Sequence, residues 1–386
     1  MMTLKNKTEP GDEDAERGKK KRRSTYAEGF SPIDYKDASV KKLIILALAP
    51  STETHDNMAI ILDRLAITHV EFGLSADIKM ILLLLGKQCA TCSHPCPFCD
   101  AATPWHEDGR LTTIGSLWQN YNDFMRRGDG GGCGDEKRAK HYNNVVRAPL
   151  VRGPNEQLIL GGTVFFPELH VLIGIVGKLC KEFEASRVFS SPEAGHQYID
   201  EWLKKENIEK TKFHGSANFT GTFEEICYLV SKISVNFPGN NAEKLLDKIE
   251  SLEDHLTEML VMDEDRLDMV KKFMNAFRAF RDVVHSCFGM TLDPKYEENI
   301  QIFMAAYREL NISVPVKLHI LEKHCAQFLK MYNERYGLGY FSEQAMESCH
   351  SEIKPDLLAE KLVSINHPNY GEKLVNLISR VNGKHV

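Results

Sequence analysis

Residues 89–101 read CATCSHPCPFCDA, and residues 319–324 read HILEKH. Cys96 and Cys99 have the two-residue spacing of a zinc knuckle, in which a tight turn brings two thiolates to about 2.3 Å from one ion. Such a pair supplies half of a tetrahedral site, and two completions are open. Cys89 and Cys92 could close a local four-cysteine site, although only three residues separate the two pairs, which is cramped. Alternatively, His319 and His324, with four residues between them, fit the H-x3–5-H window for zinc. Positions i and i+5 of an ideal helix do not share a face, so one histidine is expected at a helix end or a bend. A site built from both segments would close a loop of more than two hundred residues and clamp a downstream region onto an upstream one. The six scattered cysteines (Cys133, Cys180, Cys227, Cys287, Cys325 and Cys349) read as small buried apolar residues.

Around this cluster the chain divides by pattern. Residues 1–33 contain TEPGDEDAERGKKKRRSTYAEG, which mixes charges without apolar periodicity and reads as a disordered tail. Within it Lys19, Lys20, Lys21, Arg22 and Arg23 form a basic run suited to nuclear import or phosphate contact, or simply a solvated tail. KKLIILALAP (41–50) reads as a buried strand, DNMAIILDRL (56–65) as a helix, THVEFGLSAD (68–77) as a second strand and IKMILLLLG (78–86) as a buried helix stopped by Gly86. Strand, helix, strand, helix predicts an α/β layer over 34–125. RRGDGGGCGDEKR marks a Gly-rich charged loop, set at 126–147, that lacks the GxxxxGK[ST] phosphate cradle. Residues 148–312 read as a mainly helical insertion, with apolar residues at helical spacing in 191–208, 241–260 and 264–289. Residues 313–386 carry HILEKH and further helices.

Bulk composition narrows the class. The chain has 386 residues, 42% apolar and 26% charged, as expected of a soluble globular protein. The charged N-terminus has no apolar signal-peptide segment, and MILLLLG (80–86) falls far short of the roughly 20 residues that span a bilayer, so no membrane partner is expected. A net charge of −6 excludes a globally basic nucleic-acid binder, so DNA contact would use local patches. Arg126, Arg127, Lys137 and Arg138 around the Gly-rich loop form one candidate, against the reading of an ordinary charged loop.

Three carboxylates stand out. Asp77 sits where a strand is expected to give way to a helix, as an N-cap or as a metal ligand at a strand's C-terminal edge. Glu343 and Glu347, four apart in GLGYFSEQAMESCHSEIK (337–354), share one helical face, as metal ligands or as solvated acids.

Asp77 lies 19 positions before Cys96, and Glu343 lies 19 positions after His324. The order Asp, CxxC, long helical insertion, HxxxxH, Glu resembles the catalytic core of the DDE transposases that include the V(D)J recombinase catalytic subunit. VKKLIILALAP, SADIKMILLLLG, HPCPFCDA, RLTTIGSL, PELHVLIG, FGMTLDP and GLGYFSEQAMESCH are similar to transposon-derived proteins over residues 34–354. The resemblance implies a partial RNase H-like core, a mixed sheet with flanking helices, interrupted by the helical insertion. It makes Cys96, Cys99, His319 and His324 the ligands of a structural zinc, and Asp77 and Glu343 (or Glu347) carboxylates for Mg²⁺ or Mn²⁺. It implies DNA as partner, a nuclear location and room for a homo-oligomer.

The family's first acidic residue falls on a strand upstream of KKLIILALAP, where only Asp34 and Asp37 are at hand, outside any strand pattern. Two-metal strand cleavage needs carboxylates that hold two ions about 4 Å apart. The expectation is therefore an N-terminally truncated, catalytically impaired relative, with a non-catalytic zinc-stabilised DNA- or protein-binding protein as the alternative. A zinc hydrolase is disfavoured, because HExxH is absent and a four-ligand site leaves no open position.

Overall fold

A computed structural model describes residues 26–30, 44–49, 55–56, 58–59, 74–105, 108–126, 136–151, 156–209, 211–212, 235–236, 239–260, 263–342, 369, 372–373, 375–376 and 379. At its centre is a helix, Glu168–Glu184, whose sequence ELHVLIGIVGKLCKEFE is apolar nearly all round. Most of its positions are buried, with Lys181 the exposed one. In chain order the helices of the described residues are α1 (Ile78–Leu84), α2 (Ile114–Arg126), α3 (Glu168–Glu184), α4 (Pro192–Lys205), α5 (Gly239–Asp247), α6 (Ile249–Met259), α7 (Glu264–Val283), α8 (Tyr296–Glu309) and α9 (Val316–Met331). Helix α3 packs against α4, α5, α7 and α9, and against a single turn at Leu338–Phe341.

Local chemistry sets the helix ends. Ser191 caps α4 by accepting from the Ala194 N–H, with Pro192 in the first turn, where its missing N–H costs nothing. Asp263 caps α7 through the Arg266 N–H. Gly86 ends the α1 segment with φ of +69°, and its carbonyl accepts from the Val146 and Arg147 N–H groups. The expected helix over 241–260 is two helices, α5 and α6, broken at Lys248; no sequence feature accounts for the break. Helix α7 continues into a wider π-helical turn, Val284–Phe288, where Ser286 and Cys287 both donate to the Val283 carbonyl. Side-chain donors that occupy a helical carbonyl in this way favour such a widened turn.

An aromatic core joins the helices. Phe183 packs on Phe273, Phe280 on Phe303 and Phe288, and Phe166 on Phe288 and Phe328. Phe165, Phe328, Tyr332 and Phe341 form a second cluster where α9 meets the turn at 338–341. Each fully buried phenylalanine contributes about 1.5–3 kcal/mol relative to exposure.

The mixed α/β RNase H-like core expected from the sequence is not what the described residues form: the fold is mainly helical. Among the described residues strand is confined to two antiparallel pairs, β1 (Tyr26–Phe30) with β2 (Ile44–Ala49) and β3 (Thr211–Lys212) with β4 (Val235–Asn236), plus isolated bridges. Neither pair extends into a sheet flanked by helices. Tyr26–Phe30 also lies inside the segment expected to be a disordered tail. Of the second expected strand, Leu74 alone pairs, in one parallel bridge to Val164; residues 68–73 lie outside the described residues. Of the expected helix at 56–65, Asp56, Met58 and Ala59 are described and helical. Periodicity cannot separate a short apolar run bound for a sheet from one bound for a helical core. Here the core is supplied by α3 and its neighbours. Among the described residues no helix is long and apolar enough to cross a membrane.

Gly86→Ala should destabilise the fold by more than about 1 kcal/mol, because φ is left-handed and an added Cβ would collide with the Arg147 carbonyl. Gly161→Ala, whose Cβ would meet the flexible Met331 side chain at 3.3 Å, should shift stability much less. Denaturant unfolding followed by circular dichroism compares the two.

Candidate metal centre

Cys96 and Cys99 lie at the turn of a small hairpin-like knuckle. Beyond the turn the chain folds back on itself: the Thr112 N–H donates to the Phe98 carbonyl, and the Asp100 N–H to the Arg110 carbonyl, with Cys99 bridged to Leu111. Asp100 holds the return strand from its side chain, accepting from the Arg110 N–H at 2.6 Å and pairing with its guanidinium at 3.0 Å. Gly109 is required here, since a Cβ would strike the Ala101 backbone.

The knuckle lies against the N-terminal half of α9. Cys96 Sγ is 3.4 Å from His324 Nε2, and Cys99 Sγ is 3.2 Å from His319 Nε2. All four ligand atoms lie within 4.8 Å of one another, and all four residues are buried. A tetrahedron with Zn–S about 2.3 Å and Zn–N about 2.0–2.1 Å has S···N edges of about 3.6 Å, close to the observed separations. The donor set and its complete burial fit a closed structural zinc site.

Of the two placements expected for HILEKH, a helix end or a bend, the structure shows the helix end. Both histidines lie on the continuous helix α9, with His319 in its first turn. Five residues turn a helix by about 140°, so the two imidazoles leave on different sides. They converge nonetheless, with ring centroids 5.4 Å apart and one cysteine facing each imidazole.

The surrounding groups fix the ligands. His324 Nδ1 is 3.3 Å from Gln327 Oε1, which leaves Nε2 directed at the sulfurs. Trp105 stacks on His319 with ring centroids 4.0 Å apart, and its indole N–H donates to the Val314 carbonyl just ahead of α9. Asp108 pairs with Lys323 at 2.7 Å. Beneath the knuckle the buried Lys87 ammonium donates to the Cys96 carbonyl and to Asn143 Oδ1. Burial pushes Lys87 down to about 8, against the pull of Cys96, Cys92 and Cys99. A hydrogen bond from the Cys96 thiol holds Cys99 far below the usual thiol range, with His319 and His324 acting in the same direction, while burial pushes Cys96 up. Cys99 is therefore poised to carry thiolate charge, the form that binds metal.

Gln327, Trp105, Lys87 and Asn143 were not singled out from the sequence. Asn143 and Asn144 are consecutive residues with φ of 52° and 56°, and asparagine is among the few side chains that tolerate this region. The NN pair was the available signal. Asn144 binds the chain above the knuckle, accepting from the His94 N–H and donating to Gln88 Oε1.

Asp77 is placed as a helix cap, its Oδ1 accepting from the Met80 N–H at 2.6 Å. Glu343, Glu347, Arg127 and Lys19, Lys20, Lys21, Arg22 and Arg23 lie outside the described residues. Of the remaining basic candidates, Arg126 pairs with Asp123 at 3.2 Å and faces a cleft that Glu156 also lines. Lys137 lies in the turn Glu136–Tyr142, and Arg138 is half-buried. Cys89 and Cys92 stand apart from the quartet. Neither a family model nor a curated protein matches the chain.

Purified protein should carry about one zinc per chain, lost in both Cys96→Ser and His319→Ala and kept in Cys92→Ser, by elemental analysis. Retention of zinc in His319→Ala would remove that imidazole from the site, and retention in His324→Ala as well would remove the helix.

Proposed function

We propose that this chain is a transposase-like DNA-binding protein, related to enzymes of two-metal DNA strand cleavage, in which a structural zinc positions a second, divalent-cation site formed by Asp77 and Glu343. The observation that carries the reading is a contact between two distant segments. Ser75 Oγ donates to the Phe341 carbonyl at 3.1 Å. The chain two residues before Asp77 is thereby bonded to the chain two residues before Glu343. Ser342 Oγ adds a bond to the buried Glu168 at 2.7 Å, which anchors the same approach. The order of ligands in the sequence and the assembled cysteine–histidine quartet support the reading; a sheet is no part of it.

In this reading Mg²⁺ or Mn²⁺ held by Asp77 and Glu343 (with Glu347 as substitute) meets DNA phosphate oxygens. Lys19, Lys20, Lys21, Arg22 and Arg23 act as a basic arm for phosphate contact and nuclear import. Homo-oligomers bring two such sites to one DNA.

One observation favours a second reading, a non-catalytic zinc-stabilised binding protein. Asp77 is bonded to the Met80 N–H, as a helix N-cap alone would be.

Asp77→Asn separates the two, because asparagine caps a helix about as well as aspartate but carries no charge for a divalent ion. Affinity for duplex DNA, by fluorescence anisotropy, should fall steeply with salt and rise on adding Mn²⁺. The Mn²⁺ increment should vanish in Asp77→Asn and Glu343→Gln, with thermal stability of Asp77→Asn unchanged. A Mn²⁺ increment that survives both substitutions would assign the protein to the non-catalytic reading, and affinity indifferent to salt would remove DNA as its partner.

A further inference from the structure

Cys89 and Cys92 belong to neither site. They occupy the ends of a tight turn, in which the Cys92 N–H donates to the Cys89 carbonyl at 3.1 Å. The ends of a β-turn have Cα atoms less than about 7 Å apart, and a disulfide spans Cα separations of about 4.4–6.8 Å. The two cysteines differ in surroundings. Cys89 is exposed and Cys92 is half-buried. Thr91, at the crown of the turn, approaches the outer sulfur, with its Oγ1 3.0 Å from Cys89 Sγ. That hydrogen bond, joined by one from the Thr91 N–H, holds the Cys89 thiol below its usual range, whereas burial pushes the Cys92 thiol up. An accessible, hydrogen-bonded sulfur beside a shielded one is the arrangement of an attacking and a resolving thiol.

We propose that Cys89 and Cys92 form a redox-active dithiol, distinct from the zinc quartet, that reacts with low-molecular-weight disulfides, Cys89 attacking and Cys92 resolving. The Cys89 thiolate attacks one sulfur of R–S–S–R, forming Cys89–S–S–R and expelling one RS⁻. The Cys92 thiolate then attacks Cys89 Sγ, forming the Cys89–Cys92 disulfide and expelling the second RS⁻. The dithiol loses two electrons, the small disulfide gains them, and the two thiol protons pass through solvent to the two RS⁻. Zinc-bound Cys96 and Cys99 are spared because both are buried and committed to metal. The turn is tied to the knuckle through the Ser93 carbonyl, which accepts from the Thr103 N–H at 2.8 Å, so the dithiol sits beside the clamp without being part of it.

Zinc-loaded full-length protein treated with glutathione disulfide tests this, read by peptide mass mapping with zinc measured in parallel. The wild type should yield a Cys89–Cys92 disulfide that dithiothreitol reverses, with zinc content unchanged. Cys92→Ser should trap glutathione on Cys89. Cys89→Ser should react at least about tenfold more slowly, since the remaining thiol is shielded and less ionised. Oxidation falling first on Cys96 and Cys99 with release of zinc would overturn the proposal. So would equal trapping of glutathione in the two single variants, which would leave no division of roles between the two sulfurs.

Discussion

Two cysteine–histidine pairs, closing sequence separations of 228 and 220 residues, tie the knuckle at 96–112 to helix α9. Loop-closure entropy grows only as the logarithm of length, so a closure of about 200 residues costs only about 2 kcal/mol more than one of 20. The helical body between the two halves meets most of that requirement by itself. Phe183, Phe273, Phe280, Phe303 and Phe328 are buried in one continuous core. The knuckle has far less to hold it: Phe98, Ala101, the Trp105 indole bond and an ion pair between Asp108 and Lys323. An exposed ion pair contributes at most about 1 kcal/mol. A bound zinc thus acts chiefly on the docking of this short segment.

What was legible in the sequence follows from the distance over which each feature is decided. Asp77, Ser191 and Asp263 bond to N–H groups three residues on, and Gly86 ends its helix by a single φ angle. Such features are local, and helix starts and stops came out near where the pattern placed them. The metal quartet was legible for another reason: residues with no other use for that spacing occur twice, and chemistry demands that the halves meet. The sheet was misread because strand pairing is decided by partners elsewhere in the chain. THVEFGLSAD reads as a strand, yet Leu74 finds one bridge and the chain then enters α1. The supporting residues were illegible for the same reason. Trp105 meets Val314, Lys87 meets Asn143, and nothing in the local sequence of either pair announces the other. The placement of one histidine at a helix end was legible because it follows from helix geometry alone: residues five apart do not share a face, and His319 sits in the first turn of α9.

In the proposed reading, capping and coordination by Asp77 are compatible on geometric grounds. A carboxylate offers two oxygens and about four lone-pair sites, and the bond from the Met80 N–H uses Oδ1. The cap therefore fixes the direction of the carboxylate while leaving its second oxygen outside that bond.

The position of that aspartate is linked to the zinc clamp through packed groups. Helix α9 carries His319 in its first turn, His324 at its middle and Phe328 in its last turns. Beyond it the chain reverses through Asn333 and Glu334, both with positive φ, while Tyr296 donates to Glu334 at 2.7 Å. Gly337 and Gly339 then pass so close to the backbone at Phe288–Gly289 that neither could carry a side chain. Phe341 closes the path by packing on Phe328, Tyr332 and Phe165, and its carbonyl accepts from Ser75. Each link is buried or hydrogen-bonded, so a shift of α9 relative to the knuckle would be transmitted to the segment leading into Glu343 and, through Ser75, to the start of α1. In the proposed reading, a metal that fixes α9 against the knuckle would along this path also constrain the approach of the segments that lead to Asp77 and Glu343.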